Sequence, residues 1–414
     1  MEHALPAGET EKRIARLQER LRAGGYAGML VSQNTDLYYL TGTMQAGYLF
    51  VPDEGEPVLY VRRSLARAER ESRVRTKPLG SFKAFGAALA ADFPRLPGSG
   101  GQAVVLTPLD ALPAQLYLRL AELLREAGAS LADGSTVMRR LRMVKSPYEI
   151  GRIQAAARAA AEALDEALPL LREGVTELEW MAAYEYAVRK RGHIGTMRMR
   201  AYNLEVLTGM VGAGDAAAEP SAFDGPAGGR GLGPAAAQSV SRRPIGRGEP
   251  ILIDIGCCID GYIIDQTRTA VIGELPDDLL RACETSVRIL RRAEELLVPG
   301  MPAERLYEEA LRMADEAGLA DHFMGFGADR VRFLGHGIGL EVDEWPVLAR
   351  GFDIPLEPGM VIAVEPKFTF PGRGVVGIEN SYAVQPDGPP LALTLTPERL
   401  IRLPVTPRAA KRAD

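Results

Sequence analysis

Four acidic residues each end or interrupt an apolar run in the C-terminal half of this 414-residue chain. Asp254 follows Ile251-Leu252-Ile253, and Asp265 follows Tyr262-Ile263-Ile264. Glu365 follows Val361-Ile362-Ala363-Val364, and Glu379 follows Val375-Val376-Gly377-Ile378. A lone charge in an apolar strand is costly, so the fold must pair these acids or gather them around a cation. Asp265 lies eleven residues beyond Asp254. A strand, a tight connection at Asp260-Gly261 and an antiparallel strand would bring the two side chains close. Carboxylates held side by side repel unless they are protonated or bridged by metal. The local alternative is that each caps backbone or pairs with Arg268.

Only four histidines are present, His3, His193, His322 and His336, so a histidine-rich metal site is excluded. His336 stands in Gly335-His336-Gly337-Ile338-Gly339, where flanking glycines allow close backbone approach. Four carboxylates and one imidazole fit a pair of divalent ions, which would supply a hydroxide nucleophile at neutral pH. Such a donor set favours manganese, cobalt, iron or zinc over calcium. His193, at a helix end, reads as a capping residue, and His322 as a surface residue.

The chain is 46% hydrophobic and 25% charged, with a net charge of −5. That balance speaks against a dominant nucleic-acid or membrane-surface role. No apolar run reaches the roughly 18–20 residues of a membrane span. The three cysteines lack a CxxC spacing, which rules out a disulfide scaffold or a cysteine-rich zinc site. The first thirteen residues are polar and charged, unlike a signal peptide. The expected location is cytoplasmic.

Periodicity predicts a helix over 12–24, strands over 28–32, 47–51, 56–61 and 103–107, and a helix over 116–127. These make a small mixed α/β domain ending near residue 142. Beyond it, helices are predicted over 148–171 and 176–190, the first with Pro147 in its opening turn and the second with Thr176 and Glu179 at its start. Strands are predicted over 249–254 and 262–272, helices over 280–297 and 303–317, and strands over 360–365 and 374–384. The Gly-rich stretch 223–234 is a long loop, either a functional wall or a tolerated insertion.

Four segments in order resemble the creatinase/aminopeptidase P/prolidase superfamily, the M24 metallopeptidases. They are Asp254-Ile255-Gly256 through Asp265-Gln266-Thr267-Arg268-Thr269; Gly335-His336-Gly337 through Glu344-Trp345-Pro346; Glu357-Pro358-Gly359 with Glu365-Pro366; and Ile378-Glu379-Asn380. The resemblance covers nearly the whole chain. It implies an α+β architecture: a creatinase/prolidase-like N-terminal domain over 1–142 and a pita-bread catalytic domain over 143–414. It also implies two divalent ions, manganese favoured, with cobalt, zinc or iron compatible. Asp254 would bind one ion, Asp265 and Glu379 would bridge both, and His336 and Glu365 would complete the set, Glu365 also acting as acid and base. The implied activity is hydrolysis of short peptides with proline after the N-terminal residue, by a homodimer. The alternative is hydrolysis or lysis of a non-peptide small molecule on the same fold.

Certain positions depart from the family pattern. Asp343 stands where a second histidine is usual, and Arg332 where peptidases often carry another. No histidine occurs near 237–239, and Gly377 replaces an arginine. Asp343 and Arg332 are therefore the candidate substrate-handling residues beside Glu365, with Arg332 a candidate partner for a substrate carboxylate.

Overall fold

A computed structural model describes residues 5–96, 103–200, 202–204 and 207–405. His3 and the rest of the first four residues of the polar opening segment lie outside it. The chain divides into two units: residues 1–142 with 200–202, and residues 143–199 with 203–414.

The first unit runs α1 (Glu9–Ala23), β1 (Gly28–Val31), α2 (Asn34–Thr41), β2 (Gly47–Pro52), β3 (Val58–Val61), α3 (Leu65–Glu71), β4 (Arg75–Pro78), α4 (Phe85–Asp92), β5 (Ala103–Thr107), α5 (Ala114–Glu126), β6 (Ala129–Asp133) and α6 (Ser135–Met143). Its six strands form one mixed sheet in the order β4-β3-β2-β1-β5-β6. Helix α1 buries Ile14, Leu17 and Leu21, one face of a 3.6-residue period. Helix α2 is absent from the periodic reading. It is short, and the Gln33 side chain caps it by accepting from the Asp36 N–H at 2.7 Å. Asp36 is fully buried in this unit, where Arg142 and Arg200 reach it at 2.9 and 2.8 Å. Arg200 also meets Asp110 at 2.9 Å, and Asp110 meets Arg139 at 2.7 Å.

The second unit opens with α7 (Pro147–Ala167) and α8 (Glu177–Lys190). Both start in capping boxes, Ser146 with Glu149 and Thr176 with Glu179. There follow β7 (Gly209–Ala213), β8 (Ile251–Ile259), β9 (Tyr262–Ile272), α9 (Asp277–Leu296), α10 (Ala303–Glu316), β10 (Phe333–Gly337), β11 (Glu344–Ala349), β12 (Val361–Val364), β13 (Lys367–Phe370), β14 (Gly374–Gly377), β15 (Asn380–Ala383), β16 (Leu391–Ala392) and β17 (Ile401–Leu403). The sheets are β17-β9-β8-β7 and β11-β10-β12-β15-β16, with the hairpin β13–β14. This is the pita-bread α+β fold. Helices α9 and α10 bury apolar faces in one core with β12, β13 and β14, through Leu290, Ala310, Ile362 and Phe368.

Two differences from the predicted strands bear on function. The single strand expected over 374–384 is two, β14 and β15, separated at Ile378-Glu379. The Glu379 N–H leaves the ladder to bond the Thr267 carbonyl at 3.0 Å, which re-aims its carboxylate. Strand β13 was not expected, because Pro366 lacks an N–H and reads as a terminator. The chain resumes pairing one residue later, at Lys367↔Gly377. No helix among the described residues is long and apolar enough to cross a membrane.

Candidate metal centre

Strands β8 and β9 join through Asp260 and Gly261, both at positive φ, 51° and 90°. A two-residue hairpin turn matched to strand twist needs this conformation at both positions. The turn fixes the register, with Asp254 opposite Thr267 and Gly256 opposite Asp265. Asp254 and Asp265 are thus diagonal neighbours on one face. Thr267 pairs with Glu379 as an isolated bridge, and its hydroxyl donates to Glu379 Oε2 at 2.8 Å. Arg268 is buried, donating to the carbonyls of Thr267 and Glu379 at 2.7 Å each and to Asn380 Oδ1 at 2.8 Å. It clamps Glu379 rather than neutralising the aspartates.

His336 enters from β10, opposite Ala363 of β12, and Glu365 follows β12 directly. The flanking glycines are required: a Cβ on Gly335 would lie 2.0 Å from the Ala363 carbonyl oxygen, and one on Gly337 2.3 Å from that of Trp345. His336 Nδ1 lies 3.1 Å from the Gly337 carbonyl, which can only accept. The ring proton therefore sits on Nδ1, and Nε2 offers a lone pair 3.7 Å from Glu365 Oε1.

Asp265, His336 and Glu379 each present a ligand atom within 4.8 Å of the others. Glu379 Oε1 is buried with no hydrogen-bond partner. An orphaned carboxylate oxygen beside an imidazole lone pair and a second carboxylate suits a divalent cation. Burial and mutual repulsion push the Asp265 carboxyl well up. Glu365 is pushed up to about 7, by burial first and then by Glu379, against the opposing pull of Lys367. Asp254 is also raised, burial outweighing the nearby Lys367. Burial would lower His336, but Asp343, Glu365 and Glu379 more than offset it.

Lys367 was missed by the sequence reading, and it sits inside the cluster. Its Nζ lies 2.6 Å from Glu365 Oε2, 3.1 Å from Asp254 Oδ2 and 3.2 Å from Glu379 Oε2. Burial would pull its ammonium down, and the three carboxylates hold it well above the usual lysine value instead. A lysine two residues past an acid is a weak signal, since on a strand such residues share a face. It becomes informative only once 367–370 is recognised as strand.

The cluster floors a cavity of about 750 Å³, open mouth included. Part of the wall is the loop predicted at 223–234: Phe223 to Gly228 line it, with Met197, Met210 and Phe333. Asp343 lines it as well, with Oδ1 3.4 Å from His336 Nδ1. Glu344 braces the Asp343 loop, accepting from the Leu340 N–H at 2.9 Å and pairing with buried Lys145 at 3.0 Å. Arg332 is not brought to the site. The entry to β10 turns Phe333 into the cavity and leaves Arg332 exposed. His193 closes the end of α8 through its backbone N–H, which bonds the Val188 carbonyl at 3.3 Å, while its buried ring accepts the Cys258 N–H at 2.9 Å through Nδ1. His322 is half-buried rather than on the surface, stacked on Phe370 at 4.3 Å.

Residues 151–386 match the family model for metallopeptidase family M24, and residues 13–144 that for the creatinase/prolidase N-terminal domain. A protein described as "Probable dipeptidase PepE" from Mycobacterium tuberculosis is 30% identical over 408 residues, covering 95% of this chain and 97% of the relative. An Xaa-Pro dipeptidase from Pyrococcus furiosus is 27% identical over 91% of this chain and 96% of its own. The crystal structure of dipeptidase PepE from Mycobacterium ulcerans superposes with a TM-score of 0.79 at 27% identity, covering 97% of this chain and all of that one. The carboxylate–histidine cluster, the fold that carries it and these matches together place the chain in metallopeptidase family M24, where it belongs as a two-domain member with a creatinase/prolidase N-terminal domain.

Proposed function

We propose that this protein is a metal-dependent peptidase of the Xaa-Pro dipeptidase or aminopeptidase type. The observation that carries the reading is the convergence of Asp265, His336 and Glu379 at the floor of the cavity, with Glu379 Oε1 unpaired. These three would hold a divalent ion, with Glu365 and Asp254 beside them. Bound there, the ion supplies Lewis-acid polarisation of a carbonyl and an acidified water.

The chain's own groups account for the rest. Glu365, buried beside these ligands with Lys367 Nζ 2.6 Å from its Oε2, is the carboxylate placed to take a proton from an attacking water and give one to a departing amine. The apolar wall of Phe223, Pro226, Met197 and Met210 suits a proline ring and its neighbour. Asp343 fixes His336 and offers a carboxylate to the ammonium of a short peptide. Arg332 is assigned no role. Manganese is the proposed ion, with cobalt, zinc and iron compatible. The resemblance implies two ions, a number that turns on Lys367. The homodimer and the cytoplasmic location are proposed from the sequence reading.

The test is incubation of manganese-loaded protein with Xaa-Pro di- and tripeptides and non-proline controls, read by mass spectrometry. Cleavage before proline is expected. Intact Xaa-Pro peptides throughout would reject the assignment. Asp343 in place of a histidine favours one second reading, hydrolysis or lysis of a non-peptide small molecule. Turnover of such compounds with peptides left intact would support it.

A further inference from the structure

We propose that Lys367 is the second cation of this centre: its ammonium holds the position between Asp254, Glu365 and Glu379, and the site takes a single divalent ion at Asp265, His336 and Glu379. The inference rests on the metal-dependent reading in one respect, that this trio binds an ion.

The two sides of the cluster differ in what they lack. On one side, the three ammonium protons meet oxygens of three carboxylates at 2.6, 3.1 and 3.2 Å. Three donors is the full complement of a lysine, so that side is satisfied. On the other, Glu379 Oε1 is buried and unpaired, and ligand atoms of Glu379, Asp265 and His336 lie within 4.8 Å of one another. Glu379 serves both sides, giving Oε2 to the lysine and keeping Oε1 for the ion.

An ion and this nitrogen exclude each other. A divalent metal binds carboxylate oxygens at about 2.0–2.2 Å. An ion on the oxygens of Asp254, Glu365 and Glu379 that Nζ already contacts would overlap the nitrogen. Lys367 is also built in rather than leaning in. Its side chain is 1% exposed, and its stem lies across Gly377, its partner in the β13–β14 register. A Cβ at 377 would lie 2.5 Å from Lys367 Cγ and 2.9 Å from both Lys367 Cα and the Pro366 carbonyl oxygen, so the glycine makes room for the lysine stem and for the backbone that carries it. Gly377, a departure from the family pattern, thus has a structural reason in this chain.

The experiment counts ions. The full chain is loaded with excess manganese, desalted, and measured for manganese per chain by plasma mass spectrometry and for spin coupling by electron paramagnetic resonance. Wild type is expected to hold one ion per chain with the six-line signal of an isolated ion. Lys367→Gly is expected to hold two, with the signal of an exchange-coupled pair, and Lys367→Ala serves if the glycine variant does not fold. Two ions in wild type would overturn the proposal without any variant. One ion in both wild type and a folded Lys367 variant would overturn it as well. No ion in wild type would overturn this proposal and the metal-dependent reading together. One ion with every Xaa-Pro peptide intact would reject the peptidase assignment and leave Lys367 in its place.

Discussion

Each unit of the molecule buries a cluster of charge, and the clusters are built on opposite principles. In the first unit each carboxylate faces guanidinium: Asp36 meets Arg142 and Arg200, and Asp110 meets Arg200 and Arg139. In the second, four carboxylates share one ammonium and one imidazole, and a buried oxygen is left over. A cluster closed on itself holds a fold together. A cluster left short of positive charge stores affinity for a cation. The pKa directions follow. Burial would raise Asp110, yet Arg200 and Arg139 bring it below the usual carboxylate value, whereas Asp254, Asp265 and Glu365 are all pushed up.

This contrast can be broken at either end. Glu365→Gln should lower the peptidase rate by about 10²–10⁴, the usual range for loss of an acid–base group, while the metal-free protein melts no lower than wild type. A clear drop in its melting temperature would show that the catalytic cluster also carries stability. Asp36→Ala takes a buried carboxylate from both Arg142 and Arg200, Arg200 keeping only Asp110 of the two aspartates, and should cost about 3–5 kcal/mol, with manganese per chain unchanged. Denaturant melts by circular dichroism, with metal analysis beside them, separate the two outcomes.

Removing the cation should matter to one cluster only. Manganese at a hundred times its dissociation constant should stabilise wild type by about 2.7 kcal/mol over chelator-treated protein. Asp265→Asn should abolish that gain, and Asp36→Ala should keep it. Both tryptophans, Trp180 and Trp345, lie in the second unit, so their fluorescence follows it selectively.

The smallest effect is a difference in sign with pH. Glu365 has a folded value near 7 against 4.5 ordinarily. Its contribution is present below about 4.5 and is lost as pH rises through about 7. Asp110 is lowered from 3.8. Its contribution is present above 3.8 and is lost as pH falls through its folded value. Chelator-treated protein should therefore lose fluorescence-detected stability between pH 5 and 7.5, and manganese should remove that slope. A flat metal-free profile would contradict the charge imbalance assigned to the catalytic cluster.

The candidate site was largely legible because its chemistry is written against its surroundings. Acids that interrupt apolar runs need a reason, and Asp254, Asp265, Glu365 and Glu379 share one. Glycines on both sides of His336 answer to the Ala363 and Trp345 carbonyls. Strand β9 and the caps of α8 stand where periodicity and side-chain chemistry put them. The losses have physical causes as well. Arg332 and Phe333 are adjacent in sequence, and only the strand's pleat decides which faces the cavity. Lys367 hides behind Pro366, whose missing N–H reads as an ending. Its meaning depends on Gly377, ten residues away and silent by itself. Helix α2 is too short for a period, and its cap is a glutamine, an uncommon capping residue.

The first unit is discontinuous in sequence: residues 200–202 belong to it although the chain has already entered the second. That has a consequence for modularity. A cut at 142/143 looks clean on paper, yet it yields an N-terminal fragment in which Asp36 keeps Arg142 and loses Arg200, and Asp110 loses its closest buried partner. The two halves are therefore poor units of exchange. A graft of residues 1–142 onto another catalytic domain would leave Asp36 and Asp110 each short of one guanidinium unless the recipient supplied an arginine in the place of Arg200.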